Sequence, residues 1–178
     1  LHFKKDNLLK HTMILKPEWG TGAVYKVLDA PAIQKRGGIL LESDLVDIWQ
    51  DGAGYPQNKH QTLLRLMSNF ELAFQMPGTH NYIVAERLPK EPVDFTWDHR
   101  DNLQFQYQYS FMPDGIIPRF IVRTHEDLEI RKGIYLCWKE GAILARDRTR
   151  AYVKAIPGER RIEIRVIGDK KRELLSII

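Results

Sequence analysis

Hydrophobic spacing changes period partway along this 178-residue chain, and that change limits the fold more than any single motif. In the first half, apolar residues recur every three to four positions: Trp19, Ala23 and Val27, then Leu63, Met67, Phe70 and Phe74. Such spacing lines one face of a helix. From Leu103 the period becomes two. Leu103, Phe105, Tyr107, Tyr109 and Phe111 alternate with Gln104, Gln106, Gln108 and Ser110, which is the pattern of a half-buried strand. Residues 88–100 carry Pro89, Pro92 and many charges, and are expected to be a linker between the two regimes. The expected class is α+β, helical first and sheet-rich second.

Local signals divide each half further. A short hairpin is expected over residues 1–15. A helix follows from Pro17 to about Asp29, because proline is tolerated where a helix begins and its missing N–H has no partner to lose. Gly37-Gly38 breaks the chain before Ile39-Leu40-Leu41. Ser43 is placed to cap a helix bearing Leu45, Ile48 and Trp49. A loop is expected over 52–58, a longer helix over 60–75 stopped by Pro77-Gly78, and a short strand at Tyr82-Ile83-Val84-Ala85. Helices of this size closed by small hairpins suggest a winged-helix-like arrangement. In the second half, Pro113-Asp114-Gly115 is a turn, and 116–128 reads as a helix with Pro118 in its first turn. Four strands are expected over 133–138, 142–148, 151–156 and 161–167, then a helix over 170–178, giving a mainly antiparallel sheet.

Composition excludes several classes of function. The longest apolar runs are only a few residues, far short of a membrane span. A single cysteine, Cys137, rules out an internal disulfide and a multi-cysteine zinc site. It fits a reducing, cytoplasmic setting and is expected to be buried and inert. The net charge of +4 is spread rather than clustered, and residues 159–165 alternate in sign like a solvated strand face. The chain begins at Leu1 rather than Met, so it is expected to be a piece of a longer protein.

Nothing in the sequence assembles a catalytic, cofactor or metal site. Asp98-His99-Arg100-Asp101 echoes a kinase catalytic loop, but no glycine-rich loop or paired strand lysine accompanies it. A polar linker accounts for it. Gly20-Thr21-Gly22 lies where backbone N–H groups can cradle phosphate, yet GxxxxGK[ST] is absent and Trp19 would crowd a nucleotide. Small residues that let a helix pack closely explain it better. His125-Glu126-Asp127 are adjacent on a helix and point apart, as a solvated helix end would. No histidine pair has zinc spacing. In the aromatic strand, Phe105 and Phe111 are expected in the core, whereas the hydroxyls of Tyr107 and Tyr109 suit an interface between domains.

Three stretches, in order, resemble the COR domain that follows the Ras-like Roc GTPase in Roco proteins, a family that includes leucine-rich-repeat kinases and many bacterial leucine-rich-repeat GTPases. They are Ile14-Leu15-Lys16-Pro17-Glu18-Trp19, then Gly38-Ile39-Leu40 with Ser43-Asp44-Leu45. The third is Pro113-Asp114-Gly115-Ile116-Ile117-Pro118-Arg119-Phe120 with Gly133-Ile134-Tyr135-Leu136-Cys137-Trp138. The resemblance implies that residues 1–90 are the C-terminal, winged-helix-like part of COR-A. Residues 91–178 would then be COR-B, an α/β subdomain through which Roco proteins often dimerise.

By the same resemblance the chain is non-catalytic and has no cofactor. It would couple the GTP/GDP state of the parent's Roc domain, where GTP and Mg bind, to homodimerisation and to neighbouring domains. The parent is expected to be a bacterial or archaeal leucine-rich-repeat GTPase. Tyr107, placed relative to Pro113-Asp114-Gly115, lines up with a family tyrosine that lies toward the Roc–COR contact, and Tyr109 is grouped with it. The competing reading is a winged-helix nucleic-acid-binding protein. Its recognition helix should present several cations, but residues 60–75 hold Arg65 as their only Lys or Arg, so no nucleic-acid partner is expected.

Overall fold

The computed structural model describes residues 17–50 and 54–178, in two compact units, one ending at Arg87 and one running Leu88–Ile178. The expected hairpin over 1–15 lies outside the described residues, as does part of the 52–58 loop. Both helices and antiparallel sheets are present, as an α+β chain requires, with most of the strand residues in the second unit.

In the first unit, α1 (Pro17–Leu28) buries Gly20, Ala23 and Val27. The two glycines of Gly20-Thr21-Gly22 are packing residues. A Cβ on Gly20 would lie 3.1 Å from Leu66, and one on Gly22 would lie 2.8 Å from the Tyr55 hydroxyl. A short α2 (Pro31–Lys35), not anticipated from the spacing, leads through Gly37 and Gly38, both at positive φ, into β1 (Ile39–Leu40). Ser43 does not cap the next helix. The chain enters α3 (Leu45–Ile48) through a 3-10 turn over Glu42–Asp44 that contains Ser43, and the Asp44 carboxylate instead accepts the Leu41 N–H at 2.9 Å and pairs with Arg36.

The next helix, α4 (His60–Asn69), is shorter than the apolar spacing predicts. Glu71 adopts a left-handed φ of 60°, its N–H donates to Ser68, and the Leu72 N–H reaches back to Met67, both at 3.0 Å. These two bonds form a Schellman closure, normally made by glycine. Phe74 consequently belongs to β2 (Ala73–Gln75), which pairs with β3 (Tyr82–Val84) in a three-stranded antiparallel sheet ordered β1-β3-β2. Trp49, Leu63, Leu64 and Met67 centre the core, and the indole Nε1 of Trp49 donates to the Ala23 carbonyl at 3.0 Å.

In the second unit, β4 (Leu103–Gln108) precedes α5 (Ile116–Arg123), which ends sooner than expected and is followed by a 3-10 turn over His125–Asp127. A small hairpin, β5 (Ile130–Arg131) with β6 (Ile134–Tyr135), occupies part of the expected 133–138 strand, and β7 (Cys137–Trp138) takes the rest. Then come β8 (Gly141–Arg146), β9 (Thr149–Ile156), β10 (Arg161–Gly168) and a short α6 (Lys171–Leu175). The five-stranded sheet is ordered β4-β10-β9-β8-β7 and antiparallel throughout, so β4 is a terminal strand. That position corrects one expectation. Phe105 is 43% exposed rather than core, on a strand with only one neighbour, and Phe111 is 75% exposed because β4 ends at Gln108, three residues before it.

Alternation sets the two faces of the sheet. Ile162, Ile164 and Val166 pair with Ala155, Val153 and Ala151 on one side and with Tyr107, Phe105 and Leu103 on the other, all on one face. The opposite face carries Tyr152, Ile143 and Trp138, together with Arg161, Glu163 and Arg165. Arg161 and Arg165 both pair with Glu163, so the expected sign-alternating strand face is present. The 88–100 stretch is not a solvated linker. Val93, Phe95 and Trp97 are half-buried against Leu136, Trp138 and Ile143.

Candidate interface site

Tyr107 and Tyr109 converge on one groove in the second unit. Tyr107 is 50% exposed and lies on the same sheet face as Phe105, its ring meeting the Phe105 ring edge-on at 4.8 Å. Tyr109, just past the strand end, is held by its own N–H, which donates to the Arg160 carbonyl at 2.8 Å. Arg160 sits at a left-handed φ of 52° and returns a guanidinium bond to the Ser110 carbonyl at 2.9 Å. The Gln108 side chain donates to the Glu159 carbonyl at 2.9 Å. Three contacts to the β9–β10 turn therefore fix the exit of β4.

From there the chain turns at Pro113-Asp114-Gly115, with Gly115 at φ 76°, and starts α5. Pro118 falls in the first helical turn, where its lack of an N–H costs nothing. Ile117, Pro118, Ile121 and Val122 face inward, leaving Ile116, Phe120 and Arg123 along the groove. The groove has a volume of about 480 Å³, with Ile162 and Ile164 as its floor and Ile177 at one side. Its wall mixes apolar side chains with polar ones from Tyr107, Tyr109, Asp114, Arg119, Arg123 and Thr124. Such a surface can dock a partner that offers both apolar and polar side chains. Phe120, Arg123 and Ile177 were not singled out from sequence. The i, i+4 and i+7 spacing of Ile116, Phe120 and Arg123 was the available signal.

The other motifs do not converge with it. Asp98 is gripped by Arg100 through bonds of 3.0 and 2.8 Å, which holds its carboxyl down at about 2, and Asp101 pairs with Lys171 at 2.6 Å. Asp127 departs from the solvated reading: it is 8% exposed and pairs with Arg146 at 2.7 Å, while His125 Nδ1 lies 2.8 Å from the Val122 carbonyl. Cys137 is buried, and burial pushes its thiol up to about 12, as suits an inert residue. Among the described residues no group of three or more His, Cys, Asp or Glu could hold a metal ion. No helix among them is long and apolar enough to cross a membrane.

Comparison with known families and proteins gives consistent matches. Residues 1–88 match the family described as C-terminal of Roc, COR-A domain, and residues 100–178 match C-terminal of Roc, COR-B domain. The chain is 26% identical over 189 residues to "Probable serine/threonine-protein kinase pats1" of Dictyostelium discoideum, covering 99% of this chain and 6% of that protein. It is 26% identical over 162 residues to "Probable serine/threonine-protein kinase qkgA" of the same organism, covering 81% of this chain and 10% of that protein. To the "Roc-COR-CHAT protease" of Runella zeae it is 27% identical over 161 residues, covering 86% of this chain and 16% of the protease. The chain thus spans a small fraction of each of these relatives.

Proposed function

The chain belongs to the COR family, as a COR-A domain followed by a COR-B domain of a Roco protein, and on that premise we propose that it is a non-catalytic relay. In this reading residues 1–90 are the C-terminal, winged-helix-like part of COR-A and 91–178 are COR-B. The relay couples the GTP/GDP state of a Roc domain in the same parent chain to homodimerisation through COR-B and to neighbouring domains. GTP and Mg belong to that Roc domain. The order of parts in the name of the Runella relative, Roc before COR, supports such a neighbour. A reduced, buried Cys137 suits a cytoplasmic parent.

The observation that carries this reading is the exposed aromatic pair of Phe105 and Tyr107 beside the groove under α5. Aromatic residues that are half-exposed and flanked by apolar side chains are typical anchors of protein interfaces. A relay also needs a contact whose affinity differs between the two nucleotide states, because a ligand shifts an equilibrium only by differential binding. Tyr107 is the Roc-facing residue in this scheme, with Tyr109 beside it. Tyr107→Ala in the full parent protein is expected to weaken Roc–COR association by about tenfold or more, or to change GTP turnover. Unchanged association together with unchanged turnover would remove the assignment.

A further inference from the structure

The face of the sheet opposite Tyr107 is covered by residues 89–97, which have no regular secondary structure. Among the described residues a single backbone–backbone bond ties this segment to the sheet, from the Lys139 N–H to the Pro89 carbonyl at 2.8 Å. Side chains do the rest. Phe95 stacks on Trp138 with centroids 5.8 Å apart, and Phe95 and Trp97 meet the Tyr152 ring at 5.9 and 5.7 Å.

One carboxylate organises the end of the segment. Glu129, 14% exposed, accepts Arg150 Nε at 2.6 Å and Nη2 at 3.2 Å, and Arg131 Nη2 at 2.9 Å. The same two guanidiniums hold the segment down. Arg150 Nη1 donates to the Thr96 carbonyl at 3.3 Å, and its Cζ lies 5.3 Å from the Trp97 ring centroid. Arg131 Nη1 reaches the Thr96 hydroxyl at 3.5 Å. Glu129 itself is anchored by backbone bonds to Ile143 and Leu136, both at 2.9 Å.

We propose that residues 89–97 form a releasable strap and that Glu129, through Arg150 and Arg131, is its latch. The sheet beneath has its own ladder bonds, whereas the strap is held by one backbone bond at Pro89, the packing of Val93, Phe95 and Trp97, the Trp97 Nε1 bond to Asn102 at 2.9 Å and the two guanidiniums that Glu129 orients. Such elements open at a fraction of the cost of global unfolding. The strap is the first stretch of the second unit, just past the boundary at Arg87. Nine released residues reach up to about 30 Å when extended. The inference stands apart from the Tyr107 reading, since strap and Tyr107 lie on opposite faces of the sheet and each test leaves the other untouched.

The test is brief chymotrypsin exposure of the full parent protein across low urea, with cleavage after Phe95, Trp97 and Tyr152 counted by mass spectrometry. Cleavage after Phe95 and Trp97 should occur in native buffer and depend only weakly on urea, while Tyr152 in β9 stays uncut, because strap opening exposes little surface. Glu129→Gln should speed cleavage at those two sites about tenfold without exposing Tyr152. Cleavage at Phe95 and Trp97 that rises with urea in step with Tyr152 would overturn the strap. Equal rates in wild type and Glu129→Gln would overturn the latch. The wild-type urea series decides the first point even if the variant does not fold.

Discussion

The two faces of the five-stranded sheet are both apolar at their centres, but they are closed by different means. One presents small and aliphatic residues (Ala142, Leu144, Ala151, Val153, Ile162, Ile164), against which the helices α5 and α6 pack. The other presents Trp138, Tyr152 and Ile143, covered by an extended segment that contributes Phe95 and Trp97. Short side chains allow a helix with its own satisfied hydrogen bonds to sit close. Large rings fill more space by themselves, so an extended segment is enough to cover them, with cations seated over the rings. The difference concerns cooperativity. A helix-covered face is lost with the whole fold, whereas a strap can leave alone.

Substitutions probe the contrast in order of expected size. Trp138→Ala removes the ring that stacks with Phe95 and should cost about 3–5 kcal/mol in urea unfolding of the second unit. Leu144→Ala, fully buried on the helix-covered face, should cost about 3 kcal/mol, and equal losses at both positions would blur the contrast. Gly141→Ala should cost about 1–3 kcal/mol, since an added Cβ would run into the Trp138 ring and the Val153 carbonyl.

Cys137 offers a milder test on the helix-covered face. Its thiol is raised from 9.0 to about 12 in the folded chain, so its stabilising contribution is complete below pH 9 and is lost as pH rises from 9 toward 12. At about pH 10, wild type should have lost about 1 kcal/mol that Cys137→Ala retains, read as the difference in urea midpoint. Tyr135 and Tyr152, also raised by burial, add to the loss at higher pH. The smallest effect is expected at β4. Tyr107→Ala, which loses the edge-on contact with Phe105, should cost no more than about 1 kcal/mol, so a larger loss of Roc association would reflect docking rather than folding.

Much of this was legible where the signal is local. Pro17 marked the start of α1, Pro113-Asp114-Gly115 marked a turn, and strict alternation marked β4 as a strand. The exposure of Phe105 was not legible, because alternation reports the pleat and not whether a strand has one neighbour or two, and that of Phe111 was not, because alternation runs on past Gln108, where the strand ends. Strand order is decided by β10, more than fifty residues away. The overrun of α4 has a local cause: Glu71 takes the left-handed position that glycine would have announced. In the strap, Val93, Phe95 and Trp97 do alternate, but the prolines and charges around them hide it. For the candidate site, Tyr107 and Tyr109 were visible as hydroxyl-bearing strand residues. The groove they share was not, since its floor comes from β10 and its wall from α5.

The position of β10 between β4 and β9 also sets an order of events during synthesis. Strand β4 leaves the ribosome before β5 to β9, yet its one hydrogen-bonding partner is the last strand made. Until residues 161–168 emerge, the Phe105–Tyr107 stripe is a bare strand on a nascent chain. Contacts so distant in sequence form slowly, and unpaired aromatic strands are prone to aggregate in the interval. The alternating glutamines of β4 keep every second position polar during that wait, a use of Gln104 and Gln106 in the unfinished chain that Gln108 shares before its side chain bonds the Glu159 carbonyl in the folded one.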